Sequence, residues 1–484
     1  MIRSAITKYK VLPIQMKASF WFLICAFLQK GISFITTPIF TRLLSTTEYG
    51  QYNIFISWLS ILTVIVSLNL YSGVYSRGVV KFESDRKVFS SSLQGLTLTL
   101  VGMWTVIYLL FHDFWNHIFK LTTIQMLLMF LMIWETAVFS FWSMEQRVDS
   151  KYKGLVFITL LTSIASPLLG ILMVSISDDK ITARIFGLAL VQILAYTGFF
   201  FVQMLRGRKF LSVAYWKHAL AFNIPLIPHY LSMSVLNGAD RIMIAKLVNE
   251  SSAGIYSLAY SLSQIVTIFN VALLQTIEPW LYKKIRDKKI EEIAKVAYPS
   301  FILIALVNFA LISIAPEAVA IFAPEEYYDA IWVIPPVAMS VFFMFSYTFF
   351  AVFEFYYEKT KLIAIATAVG AVLNIILNYI FIPIFGYYAA GYTTLICYMI
   401  YAAFHFIFMK KICYQYLNGA EPYNTKTYMC IAVLFIVAGF ILLFSYNYTI
   451  LRYSLILMMI VLVVIKRNLL IAAVKDIINA KAIK

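Results

Sequence analysis

Residues 40–55 read FTRLLSTTEYGQYNIF, and residues 244–259 read IAKLVNESSAGIYSLA. Leu43/Leu247, Gly50/Gly254 and Tyr52/Tyr256 are identical at an offset of 204, and in both a basic residue, a polar turn and a new apolar segment follow in the same order. Three identities carry little weight, so the polar residues of the flanking apolar runs supply a stricter test. Asn53, Ser57, Ser60 and Thr63 follow i, i+4, i+7, i+10 spacing, one face of a helix. Their counterparts are Ser257, Ser261, Gln264 and Thr267, all polar. In the preceding run Lys30, Ser33 and Thr37 share a face, and their counterparts are Ser234, Asn237 and Arg241. All seven positions match without a gap, which predicts a duplicated six-helix unit. Further along, Gly187 and Gly391 keep the offset, while the stretch between needs a shift of four.

The helices meant here are membrane helices. The chain has 484 residues, 62% hydrophobic and 13% charged, with a mean hydropathy of +0.83. Soluble domains are near half apolar and a quarter charged. Apolar runs of about 20 residues recur along the chain, long enough to cross a hydrocarbon core, and they do not alternate as barrel strands do. The expected fold is therefore an all-α polytopic membrane protein of about fourteen spans: two six-helix lobes plus a trailing pair. The expected division is an N-lobe over 1–205, a cytoplasmic connector 206–218 and a C-lobe over 219–409. A connector and the last two spans follow over 410–466, then an amphipathic cytoplasmic tail, 467–484.

A net charge of +16 raises the prospect of an anionic partner. Placing the termini and even-numbered loops on one side assigns 31 of the 39 Lys and Arg to that side. Six lie on the other: Arg42, Lys120, Lys180, Arg184, Lys246 and Arg452. The positive-inside rule then predicts cytoplasmic termini. The charge encodes topology and contact with anionic lipid, which removes the case for nucleic acid. The basic start runs into the first span with no small-residue cleavage site. Cys25, Cys397, Cys413 and Cys430 have no metal-like spacing, and no metal site is expected.

A parallel repeat implies a substrate site between two lobes near the midplane. The polar faces of spans 1, 2, 7 and 8 would line it: Ser33, Thr37, Asn53, Ser57, Ser234, Asn237, Ser261 and Gln264, with the cations Lys30 and Arg241. An intramembrane charge is costly and marks function by default. Lys30 lies roughly a dozen residues from either end of its span, too deep for easy snorkelling, although an ion pair remains an alternative. Arg241 follows Asp240, but helix neighbours diverge by about 100°, so the pair need not be neutralised directly. One cation from each lobe suits an anionic substrate such as phosphate or pyrophosphate. Arg42 and Lys246, repeat partners at outer span ends, are either snorkelling residues or part of the cavity mouth. Glu135, Asp240 and Glu354 are candidates for coupling to an ion or proton; Glu354 lies near a span end where water could reach it. His229 and His405 suit structural hydrogen bonds better than titration. Asn374 and Asn378, one turn apart, suit helix–helix bonding as readily as contact with sugar.

No Walker loop, HExxH, Cys/His set or dinucleotide fingerprint occurs. The largest outer loop, PEAVAIFAPEEYYDAI, is short for a glycosyltransferase or polymerase, although Glu325, Glu326 and Asp329 cluster in it. No catalytic residue and no cofactor are expected.

The segments FLQKGISFITTPIFTRLLSTTEYGQYNIF, LNGADRIMIAKLVNESSAGIYSLAY and NIILNYIFIPIFGYYAAGYTTL resemble the polysaccharide transporter branch of the multidrug/oligosaccharidyl-lipid/polysaccharide exporter superfamily, the Wzx-type O-antigen flippases. The resemblance covers nearly the whole chain. It implies a two-lobed exporter fold in the bacterial inner membrane that moves undecaprenyl-pyrophosphate-linked oligosaccharide between leaflets. It also implies cationic cavity residues holding the headgroup, a role Lys30 and Arg241 match by position, and partners such as a polysaccharide polymerase and a chain-length regulator. Coupling to a Na⁺ or H⁺ gradient stays open. A cation-coupled multidrug exporter of the same superfamily is the alternative, and a membrane polymerase or glycosyltransferase a more distant one.

Overall fold

The computed structural model describes residues 13–468. These form nineteen α-helices and five short 3-10 turns, with no strand among the described residues. The chain packs as two compact units, 1–238 and 239–484. The first holds α1 (Ile14–Leu43), α2 (Thr46–Ser67), α3 (Gly73–Lys81), α4 (Arg86–Leu110), α5 (His112–Phe119), α6 (Thr123–Val148), α7 (Tyr152–Ile176), α8 (Lys180–Gly207) and α9 (Val213–Asn223). Helix α10 (Ile227–Leu247) contains the boundary. The second unit holds α11 (Glu250–Ser263), α12 (Val266–Arg286), α13 (Ile293–Ser313), α14 (Ala315–Phe322), α15 (Ile334–Tyr356), α16 (Thr360–Phe385), α17 (Tyr388–Tyr416), α18 (Thr425–Phe444) and α19 (Thr449–Ile465).

Among the described residues thirteen helical stretches have the length and apolarity to cross a membrane, so the chain is an all-α multi-pass membrane protein. The count differs from the expected fourteen at one place. The last expected span is α19, an apolar helix of only 17 residues, at the lower limit of what spans a bilayer. The expected connector 206–218 is itself partly helical: α9 starts at Val213 and leads through a 3-10 turn with Pro225 into α10. The expected amphipathic tail lies outside the described residues beyond 468.

The two quoted segments have the same backbone. Leu44 N–H bonds to the Phe40 carbonyl at 3.0 Å, and Val248 N–H to the Ile244 carbonyl at 2.8 Å. In each, the next residue starts a helix. Ser45 Oγ accepts from Glu48 N–H at 3.2 Å while Glu48 Oε2 accepts from Ser45 N–H at 2.8 Å, a reciprocal cap. At the partner position Asn249 Oδ1 accepts from Ser252 N–H at 2.8 Å. The repeat thus places a capping side chain at 45 and 249, where a helix must restart after a turn.

Within each unit the fourth long helix forms the centre. Burial covers 56% of the apolar stretch of α6 and 83% of that of α15, against 22% for α7 and 28% for α16, which face outward. Phe342, Phe345 and Phe349 of α15 pack around Phe301 of α13 at ring separations of 5.0–6.3 Å. Met126, Met129 and Ile133 of α6 play that part in the first unit. The repeat partners Gly187 and Gly391 both stand at close helix crossings. A Cβ on Gly187 would come within 3.0 Å of Gly170 backbone on α7, and one on Gly391 within 3.1 Å of Pro336 on α15.

Candidate functional site

Four helices of the first unit, α1, α2, α7 and α8, line a partly open cavity of about 360 Å³. Gln29, Ser33, Thr36, Thr162, Ser163, Ser166, Gln192 and Tyr196 supply polar groups to its wall. No carboxylate lines it, and its one ionised side chain is Arg184. The Arg184 guanidinium lies 3.8 Å from the centroid of the Phe40 ring and 3.5 Å from that of Tyr52. Each such contact contributes about 0.5–2 kcal/mol. Arg184 and Tyr196 are twelve residues apart on α8, about 18 Å, so the cavity runs deep along the helix.

The hydroxyls have a consistent polarity. Thr36 Oγ1 donates to the Ser33 carbonyl (3.1 Å), Ser163 Oγ to the Thr159 carbonyl (2.6 Å) and Thr162 Oγ1 to the Ile158 carbonyl (3.0 Å). Their protons are committed to their own helices; Thr162 Oγ1 in turn accepts from Tyr196 Oη at 3.3 Å, while Thr36 and Ser163 present lone pairs. Pro167, also in the wall, has no N–H and leaves the Ser163 carbonyl without its helical donor. Gln192 Oε1 is buried without a hydrogen-bond partner among the described residues. The cavity therefore has a cationic end and an acceptor-rich wall.

In the second unit the corresponding helices hold a closed network. Asp240 of α10 is 2% exposed. Its carboxylate accepts from Tyr256 Oη (2.7 Å, α11), Asn378 Nδ2 (2.6 Å, α16) and Thr394 Oγ1 (2.9 Å, α17). Asn378 also donates to Asn374 Oδ1 at 3.2 Å and accepts from Thr393. Asn378 thus bonds helix to helix, while Asn374 supports it from within α16. The offset of 204 carries Asp240 onto Thr36 and Tyr256 onto Tyr52, both of which line the first unit's cavity. Arg241 points elsewhere: half-buried, it stands 4.4 Å from the Tyr260 ring centroid.

The other two acids are fully buried. Glu135 Oε1 accepts from Thr197 Oγ1 at 2.6 Å, between α6 and α8. Glu354 Oε1 lies 2.6 Å from His405 Nδ1, between α15 and α17. Water access to Glu354 was the expectation from its span-end position; instead both it and His405 are 0% exposed, because α15 is the most enclosed helix of its unit. Glu135 Oε2 and Glu354 Oε2 have no hydrogen-bond partner among the described residues.

Of the residues expected to bind substrate, Ser33 is in the cavity wall and Lys30 is not, although Gln29 beside it is. Lys30 is exposed on α1. Several others return hydrogen bonds to their own helices: Thr37 to the Ser33 carbonyl, Asn53 to Tyr49, Ser57 to Asn53 and Asn237 to Met233, all at 2.7–2.9 Å. Ser234 Oγ reaches the Ser60 carbonyl at 3.4 Å. Ser261 and Gln264 are half-buried in the second unit. Arg42 is exposed and donates to the Pro38 carbonyl at 2.8 Å; Lys246 is exposed at the end of α10. Arg184, expected only as an outer-side charge, is the residue that sequence reasoning missed. It lies one turn into α8, and its neighbours in space are 130 to 150 residues away in sequence. Among the described residues no three His, Cys, Asp or Glu gather as a metal site.

The profile of the family described as Polysaccharide biosynthesis protein matches residues 16–285, and that of MatE matches residues 225–380. The Lsg locus putative protein 1 of Haemophilus influenzae is 24% identical over 386 residues, covering 74% of this chain and 89% of that protein. An inward-facing multidrug resistance MATE family transporter of the MOP superfamily superposes with a TM-score of 0.62 at 13% identity, over 81% of this chain and 96% of that one. The lipid II flippase MurJ in an inward closed conformation gives 0.61 at 15%, over 88% and 98%. At these identities the two structures share the fold. The first profile covers more than half of the 484 residues, and the chain belongs to the polysaccharide biosynthesis protein family.

Proposed function

We propose that the protein is a flippase carrying undecaprenyl-pyrophosphate-linked oligosaccharide, an O-antigen or similar repeat unit, from the cytoplasmic to the periplasmic leaflet by alternating access. It does so without covalent chemistry, in the bacterial inner membrane with both termini cytoplasmic. One observation carries this reading: a polysaccharide-family membrane protein has an acid-free polar cavity with a guanidinium at one end. Such a lining favours anions and sugar hydroxyls over cationic drugs. Lys30 and Arg241, outside the wall of that cavity, stay further cationic candidates for the headgroup, and Arg42 and Lys246 candidates for a cavity mouth. A polymerase and a chain-length regulator would receive the product.

A cation-coupled exporter of the same superfamily is the second reading, supported by the MatE match and by three buried acids, Glu135, Asp240 and Glu354. Within the flippase reading these acids are candidates for Na⁺ or H⁺ coupling; Glu135 and Glu354 each keep one unpartnered oxygen where a proton could reside.

Deleting the gene and analysing lipid-linked intermediates tests the function. Complete single repeat units should accumulate on the cytoplasmic leaflet. Normal surface polysaccharide, in a strain with no redundant flippase, would end the proposal. At residue level Lys30→Ala should abolish transport at unchanged membrane abundance; wild-type transport would remove Lys30 from the site.

A further inference from the structure

We infer that the first unit carries a binding site for an ammonium–phosphate zwitterion, the headgroup chemistry of phosphatidylethanolamine, in a second cavity that shares no residue with the one described above. That cavity, of about 810 Å³, opens between the start of α4, the end of α6, the turn at 83–85 and the end of α8. These are ends of apolar, membrane-crossing stretches, so the cavity stands at the depth of phospholipid headgroups, on the side proposed above to be cytoplasmic.

Four carboxylates and four cations line this cavity, but they do not cancel in place. Arg86 Nη1 and Nη2 donate to Asp149 Oδ1 at 2.9 and 2.8 Å, and Lys151 Nζ donates to Asp149 Oδ2 at 2.9 Å, so two cations share one acid. Lys87 and Arg206 are exposed and have no ion pair among the described residues. Glu145, by contrast, is matched by no cation among the described residues. Its Oε1 accepts from Tyr75 Oη at 2.9 Å and from Ser90 Oγ at 2.6 Å, both buried residues, and its Oε2 has no hydrogen bond among the described residues. Gln203 is 2% exposed. Gln94 Nε2 donates to its Oε1 at 2.7 Å, which leaves Gln203 Nε2 as a buried donor with no partner among the described residues. Of the remaining acids, Asp85 accepts from Tyr215 Oη at 2.5 Å and Glu83 is exposed at the rim.

Opposite charges held apart in one cavity select a molecule that carries both. A bare anion on Lys87 and Arg206 would face the Glu145 carboxylate, and a bare cation on Glu145 would face the two cations. A zwitterion places its ammonium on Glu145 Oε2 and its phosphate oxygens on Lys87, Arg206 and the Gln203 N–H. This also satisfies the buried amide, which is costly to leave unmet. A primary ammonium suits the carboxylate better than a quaternary one, because only the former has N–H groups to donate. The volume lies within the range of small-ligand sites, roughly 300–1,000 Å³, and leaves room for the glycerol next to the phosphate.

Thermal unfolding of the detergent-solubilised full chain tests this, because a ligand of the folded state raises the melting temperature as its concentration rises. The probes are dihexanoyl phosphatidylethanolamine, the matching phosphatidylcholine and phosphatidylglycerol, and soluble glycerophosphoethanolamine. Saturable stabilisation by the ethanolamine lipid, at a concentration at least about tenfold below that needed for the choline or glycerol lipid, supports the site. Glycerophosphoethanolamine acting at the same concentration as the ethanolamine lipid assigns a free zwitterion; weaker action assigns the lipid. Glu145→Gln keeps an acceptor for Tyr75 and Ser90 and should abolish the preference for ethanolamine over choline. Lys87→Gln with Arg206→Gln, both at exposed positions, should raise the half-saturating concentration by about tenfold, and this pair serves alone if Glu145→Gln fails to fold. Equal action of the choline or glycerol lipid, no saturable effect, an undiminished preference in folded Glu145→Gln, or unchanged half-saturation in the double variant overturns the site.

Discussion

The two units start their second long helices from the same turn yet carry opposite charges beside it. At 45 and 249 a polar side chain caps the restarting helix with the same hydrogen bond. About two helix turns further, Tyr52 stacks on a cation, while its partner Tyr256 donates to a carboxylate. Thr36 stands in an open wall where its partner Asp240 is sealed by donors from three other helices. A duplicated scaffold keeps what backbone geometry requires and is free to change what its polar centre does. In the second unit the centre is saturated and joins helices. In the first it lines a partly open cavity.

Substitutions can break this contrast. The largest effect is expected at Asp240: Asp240→Ala strands three buried donors and should destabilise the protein by about 3 kcal/mol, read as thermal or denaturant unfolding in detergent. An unchanged melting temperature would show the network to be dispensable. Gly187→Ala comes next. Its new methyl meets backbone of Gly170, which cannot rotate away, so about 2 kcal/mol of overpacking strain is expected. Gly391→Ala should cost less, because it meets the Pro336 ring; equal losses would contradict the difference between the crossings.

Thr36→Asp writes the second unit's acid into the first unit's wall. The new carboxylate should make the wall less favourable to an anionic substrate and reduce transport by about tenfold, with folding retained. Wild-type transport would separate Thr36 from the cavity's electrostatics. The smallest effects belong to the shared turn: Ser45→Ala and Asn249→Ala should each cost about 1 kcal/mol, equally in the two units. A loss confined to one would mean the copies are not equivalent.

The helices were legible because a bilayer demands long apolar runs with internally satisfied backbones, and such runs are counted directly. The seven polar matches revealed the repeat for a similar reason: polar residues are rare in spans, so their coincidence is informative. Their role was not legible. Asn53, Ser57 and Thr37 match because each returns a hydrogen bond to its own helix, a local satisfaction that requires no cavity. Glu354 looked accessible by its distance from a span end, but exposure follows from where α15 sits, not from where it stops.

Sequence by itself determined the class, the membrane helices, the order of the repeat and the family resemblance, since all of these follow from local chemistry and spacing. Only the tertiary structure decided which charges face space and which face partners. Arg184 lies beside Phe40 and Tyr52 because α1, α2 and α8 cross there, and Asp240 is enclosed because three other helices each bring it a hydrogen-bond donor. Side-chain partners across helices are set by packing, and packing is not periodic along one chain.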